Sequence, residues 1–454
     1  MLSLKLADFI HSISFADLGQ QTVRMARLAL LDWLGSVARG GQEEPAKIAL
    51  SLIVDQGGKP QATILPSGVK TSALNAALAN GIASHILEVD DVHRGSVIHC
   101  GAAVIPAALA AAEMTRASGR QFIEALVAGY EVAIRIGEAV TPSHYYFWHN
   151  TGTCGTFGAC AAASKLLGLN REQLVWALGS AGTQAAGLWE FLADGAMSKH
   201  LHPGKAAQNG LLSALLAGGG FTGATAILEG KRGFCRATAP EFNLDRITDS
   251  LGKPPYKIED NSFKIHSSCR HTHPAVDIAL GLTSSHNIEL SDISAIEVRT
   301  YKTALDITDT PEPQTVYAAK FNLPFCVALA LAKKGCGLED FNDENLRDPE
   351  IRALSRRTKL IADDAFTSLY PSKWAAAVEI ATKSGDVLRN RTDFPLGDPE
   401  NPASDEVLTE KFRRLSSDSW GDEKTGSLIK TVMELEVVKD MSLLFEQHGV
   451  VAAP

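Results

Sequence analysis

Cysteine is sparse in this 454-residue chain: seven residues (100, 154, 160, 235, 269, 326 and 336), no two of them at C-x-x-C spacing. That argues against a zinc ribbon, an iron–sulfur ligand run or a disulfide framework, and suits the reduced thiols of a cytoplasmic protein. No apolar run reaches the roughly 18 residues that cross a bilayer. The opening MLSLKLADFIHSI reads as an amphipathic helix rather than a secretory leader. Basic clusters are missing as well: 43 Lys and Arg stand against 52 Asp and Glu, a net charge of −9, so a nucleic-acid partner is not expected. No glycine-rich turn follows a strand pattern, and GTCGTFG carries no P-loop lysine. A nucleotide or redox cofactor is therefore not expected either.

What the chain has is alanine, glycine and helical periodicity. Up to about residue 255 nearly every segment reads as helix. DLGQQTVRMARLALLDWLGSVARG opens on an Asp cap and ends in glycine, and REQLVWALGSAGTQAAGLWEFL continues the pattern. LGKPPYKIED is a proline-rich connector. Beyond it, strand patterns at 293–301 and 375–394 alternate with helical ones in HPAVDIALGLTSSH, PFCVALALAKKG and DPEIRALSRRTKL. The expected fold class is mainly α with a smaller α/β domain. The expected domains are 1–258 helical, 259–396 α/β, and 397–454 helices rejoining the first domain.

Ten of the thirteen histidines fall between residues 85 and 273, in four segments where helices start or stop. These are HILEVDDVHRGSVIHCG, SHYYFWHNTGTCGTFG, MSKHLHPGKAAQNG and SFKIHSSCRHTHPAVD. Any one histidine reads as a hydrogen-bonded core residue, but four such segments can converge on one cleft. The pairs His200-x-His202 and His271-x-His273 would point one way on extended backbone, as metal ligands do. Lys199 and Lys205 flank the first pair, HPGKAAQNG reads as a turn into a helix, and no metal is expected. What remains is acid/base chemistry by side chains. Cations beside a base suit the holding of a small polycarboxylate while a proton moves at the carbon next to a carboxylate.

NGIASHILEVDDVHRGSVIHCGAAVIPAALA, WHNTGTCGTFGACAAASKLLGL and KHLHPGKAAQNGLLSALLAGGGFTGATAILEGKRGF closely resemble the signature of the MmgE/PrpD family, as do FKIHSSCRHTHPAVDIAL and AAKFNLPFCVALAL. The family contains 2-methylcitrate dehydratase, cis-aconitate decarboxylase and iminodisuccinate epimerase. The resemblance implies a homodimer, a helical domain made from both chain ends, a lid domain, and a site in the cleft between them that uses neither metal nor organic cofactor. It places Glu88, His99, His149, Lys199 and Lys264 in that site. Lys199 and Lys264 would face substrate carboxylates, and His149 would be base or acid. Glu88 and Asp91 would orient His99 or Lys199, although Asp90 and Asp91 read equally well as a helix cap. Tyr145 is a proton donor or cleft wall.

The chain departs from the decarboxylase-like pattern at four positions: Glu88 for Asp, Val92 for Thr, Cys269 for His and Phe325 for Tyr. These losses thin the candidates for an acid that protonates a leaving hydroxide. Cys269, with its thiol lowered by Lys264 and Arg270, could serve as a base, or it is an inert buried thiol. The favoured expectation is therefore an isomerase, an epimerase of an iminodisuccinate-like acid with catalytic His149, Lys199, Cys269, Tyr145 and Glu88 and substrate-binding His99, Lys264, Arg270 and Asp91. The alternatives are a lyase of the dehydratase or decarboxylase kind, and a non-catalytic polycarboxylate-binding homologue.

Overall fold

The computed structural model describes residues 1–286 and 288–449, which form two compact units. The first holds Met1–Ile86, Asp90–Asn261 and the chain from Ser404 onward; the second holds Leu87–Val89 and Ser262–Ala403. Among the described residues no helix is long and apolar enough to cross a membrane.

The first unit is helical. Its main elements are α1 (Gln20–Gly40), α2 (Ala73–Ser84), α3 (Cys100–Thr115), α4 (Gly119–Val140), α5 (Asn150–Leu166) and α6 (Ser198–Gly218). Local chemistry sets their starts. The Ser72 hydroxyl accepts the Asn75 N–H ahead of α2, and Ser118 with Gln121 forms a capping box at α4. In α3 every residue from Cys100 to Glu113 is buried, and in α5 every residue from Asn150 to Ser164, so these two form the centre of the unit.

Small residues set how closely the helices approach. A methyl group on Gly81 would lie 2.7 Å from the Gly204 Cα, and one on Gly204 would lie 2.7 Å from the Leu78 carbonyl oxygen. The α2 and α6 backbones therefore touch, which brings His85 at the end of α2 beside the start of α6. Gly81→Val is expected to cost about 2 kcal/mol through overpacking, read as a lower denaturant midpoint. An unchanged midpoint would show that the crossing tolerates separation.

The second unit carries a four-stranded sheet. Its strands are β1 (Ile293–Thr300), β2 (Thr358–Ala362), β3 (Ala376–Thr382) and β4 (Val387–Thr392), in the order β2-β1-β3-β4. β1 and β2 are parallel, whereas β1/β3 and β3/β4 are antiparallel. Ile296 and Val298 of β1 and Val378 and Ile380 of β3 share one core with α7 (His273–His286) and α8 (Leu323–Lys333). Phe325, at one of the departing positions, is part of that core.

Four details differ from expectation. Asp17 does not cap α1: its carboxylate closes a box with Ser14 on the preceding turn, and Gly19 stands at the α1 cap. The helix starting at Arg171 stops at Gly182, and Trp189–Ala193 is a separate short turn. DPEIRALSRRTKL is helical only over Pro349–Arg356; its TKL belongs to β2, where Thr358, Leu360 and Ile361 suit a pleated surface. Ser198 to Gly218 is one helix running through Pro203, so His200 and His202 project to different sides and are not a shared ligand pair.

Candidate active site

The first unit gathers titratable side chains where its helices begin. His99 is the N-cap of α3, His149 is the N-cap of α5, and Lys199 is the second residue of α6. His85 follows the last residue of α2. Ring centroids lie 4.7 Å apart for His85 and His99, 5.6 Å for His85 and His149, and 5.3 Å for His149 and His202. Three helix N-termini thus face one cluster. Each supplies roughly half a positive charge, which favours an anion there.

Asp90 is the buried negative charge of the cluster. Its Oδ2 lies 2.7 Å from His85 Nδ1 and 3.2 Å from His99 Nδ1, the latter at an angle too bent for a good hydrogen bond. Burial pushes the Asp90 carboxyl up, but the imidazoles on either side outweigh it and hold it well below the usual carboxylate range. His85 moves down, chiefly by burial and further by the Lys199 charge, against the pull of Asp90. His149 is driven well below its ordinary value by burial first, and then by His202, His85, Lys199 and His99. His202 falls to about 4 by burial, with His85 and Lys199 acting the same way. At neutral pH these three imidazoles are uncharged beside a buried lysine (2% exposed) and an ionised aspartate. The His149 and His202 Nδ1 atoms lie 3.1 Å apart, so one of the two carries the hydrogen.

His85, Asp90 and His99 also place donor atoms within 4.8 Å of one another, a spacing that could hold a metal ion. Lys199, whose charge is felt at His85, opposes a second cation there. A cavity of about 520 Å³ lies elsewhere in the first unit, lined by Lys47, Leu50, Ile64, Pro66 and Asp418 among others; none of the clustered imidazoles lines it.

Asp90 and Asp91 have different roles. Asp91 Oδ1 accepts the Gly101 N–H at the start of α3 (2.9 Å), and Oδ2 accepts Tyr130 Oη–H (2.6 Å) and Asn261 Nδ2–H (2.7 Å). Burial raises its carboxyl to about 6, the largest of several influences. Asp91 thus caps the start of α3. Tyr145 is half-buried, with its ring edge-on to Trp189 at 4.9 Å; Trp189 also meets His149 at 5.0 Å.

In the second unit, Lys264 Nζ bonds Glu88 Oε2 at 3.2 Å with both residues buried. Glu88 has φ 60° and Val97 φ 52°, so the segment from His85 to His99 holds backbone that non-glycine residues rarely adopt. Arg270 Nη2 bonds Asp398 Oδ1 at 2.6 Å, and Nη1 reaches the Leu396 carbonyl (3.1 Å) and His273 Nδ1 (2.9 Å). Its guanidinium, expected to bind substrate, is engaged by these three groups within the second unit. Cys269 is buried near Tyr370, whose hydroxyl is pushed up by burial and by the thiol. Both cations expected to lower the Cys269 thiol are matched by carboxylates.

Of the expected residues, the first unit brings together His99, His149 and Lys199; Glu88 and Lys264 pair in the second. His85 and His202 join the cluster without having been singled out, and Asp90, which read equally as cap or site residue, belongs to it. A histidine closing an apolar helix reads as core, and the one available signal was its Asp five residues on.

The chain matches the model of the MmgE/PrpD N-terminal domain over residues 4–247 and that of the MmgE/PrpD C-terminal domain over 266–435. It belongs to the MmgE/PrpD family. Its relatives include a cis-aconitate decarboxylase of Aspergillus terreus, 26% identical over 97% of this chain and 94% of that protein. A cis-aconitate decarboxylase of Homo sapiens is 25% identical, covering 96% and 92%. The mitochondrial 2-methylcitrate dehydratase of Yarrowia lipolytica is 26% identical, covering 90% and 82%. These MmgE/PrpD relatives are named as lyases, which favours the lyase alternative over the isomerase.

Proposed function

We propose that this chain is a lyase of a small di- or tricarboxylate, with a cis-aconitate-like acid as first candidate, working by side-chain acid/base chemistry. The observation that carries the reading is Lys199, buried at a meeting of three helix N-termini among neutral imidazoles and one aspartate. Decarboxylation breaks the C–CO2 bond and leaves its electron pair on the carbon skeleton. Dehydration takes a proton from carbon and sends hydroxide out with another. Both build negative charge beside a retained carboxylate, where a fixed ammonium group and aligned N–H dipoles stabilise it most. His99 and His149 are the proton carriers within this reading. Relatives near 26% identity support the reaction class.

The test is turnover in D2O of cis-aconitate, 2-methylcitrate and iminodisuccinate, each followed by proton NMR. Released CO2 or a new vinylic signal is the expected result. Deuterium entering Cα with no new double bond would instead establish the epimerase, which the engaged Lys264 and Arg270 leave poorly equipped. Binding without exchange would leave a non-catalytic homologue.

A further inference from the structure

Three buried polar atoms of the cluster have no well-formed hydrogen bond: His85 Nε2, Asp90 Oδ1 and His99 Nδ1, the last 3.2 Å from Asp90 Oδ2. His85 and Asp90 are essentially inaccessible, whereas the His99 side chain is 13% exposed. One oxygen, Asp90 Oδ2, stands between His85 Nδ1 and His99 Nδ1. A single carboxylate so placed stabilises one imidazolium, and the reachable ring is His99. We propose that Asp90 and His85 are positioning residues of the proton-transfer step: Asp90 holds His99 as the proton-bearing imidazole that meets substrate, and His85 anchors Asp90 from behind through its Nδ1–H.

The inference rests on the lyase reading, which it deepens by saying how the proton is kept. The arrangement follows the logic by which a carboxylate fixes the tautomer of a catalytic histidine and supports its charged form. With Nδ1 turned to Asp90, His99 has Nε2 left for the substrate. In a decarboxylation the C–CO2 bond breaks, CO2 leaves, and the proton from His99 completes the new C–H bond. Solvent then reprotonates the ring, and nothing is oxidised or reduced. The surrounding charges agree. Lys199 and His202 on α6, His149 on α5 and His85 at the end of α2 all disfavour further positive charge, and Asp90 is the acid set against these rings, with Asp91 engaged at the start of α3. A proton retained in this cluster therefore belongs beside Asp90, on the ring that reaches solvent.

Three variants test this. Asp90→Asn keeps the shape and removes the charge; kcat is expected to fall about 100-fold with KM within about threefold. The limb of the pH–rate profile that requires a protonated acid should move to lower pH, because the charge favouring that form is gone. His85→Asn retains a donor near the Nδ1 position and should recover most of the activity that His85→Ala loses. A purely structural role would instead change kcat and KM together and leave the profile in place. Nitrogen-15 NMR of the histidines in the resting full chain is independent of turnover. His85 is expected as the neutral Nδ1–H tautomer at pH 7 to 8, and finding it as Nε2–H overturns the inference. If that tautomer is seen and no polycarboxylate is turned over, the lyase reading falls, and with it the catalytic role of the pair.

Discussion

Lys199→Met is expected to lower kcat/KM for the turned-over acid about 1,000-fold while leaving the melting temperature within a few degrees of the parent. Methionine nearly matches the lysine stem in length, so packing at this buried position is kept. What disappears is the ammonium group. Removing one preorganised donor to a developing negative charge costs roughly 100- to 1,000-fold in kcat, and loss of a full positive charge belongs at the upper end. The variant has a second signature that does not depend on substrate. Lys199 pushes His85, His149 and His202 down, so all three should accept protons at higher pH once it is gone. Histidine titration by NMR reads that rise directly. A variant with both unchanged activity and unchanged titrations would remove Lys199 from the cluster chemistry altogether.

The cluster was partly legible because the three segments that form it break helical patterns with glycine, proline and polar turns, and such breaks fall at helix ends. His99, His149 and Lys199 could be picked out on that ground. The division of labour between Asp90 and Asp91 could not, because it depends on which carboxylate faces the Gly101 N–H, Tyr130 and Asn261. His85 was hidden by its helix: α2 is so apolar that a histidine at its end reads as packing. The Gly81–Gly204 contact that brings His85 to α6 joins positions far apart in the chain, and nothing local marks it. In the second unit, strand alternation made β1 and the β3–β4 hairpin readable, while β2 followed a helix too directly to stand out. The partner of Arg270 lies 128 residues away, so a cation in a histidine-rich motif read as a substrate contact.

That pairing carries the second large expectation. Asp398→Ala should destabilise the protein by about 3–5 kcal/mol, since it strands a buried guanidinium without its counter-charge. Arg270 and Asp398 are 4% and 2% exposed, and Asp398 also accepts the Ser262 hydroxyl, so water cannot readily take the lost partner's place. The pair ties the turn near residue 398 to the segment carrying Lys264 and Cys269, all within the second unit. Arg270→Met should cost a comparable amount, because it leaves the carboxylate buried. The double variant Arg270→Met with Asp398→Leu removes both charges and should recover much of the loss. Denaturant midpoints for the four proteins complete the cycle. If Arg270 instead held substrate, Asp398→Ala would barely change stability, Arg270→Met would raise KM steeply, and the double variant would recover nothing.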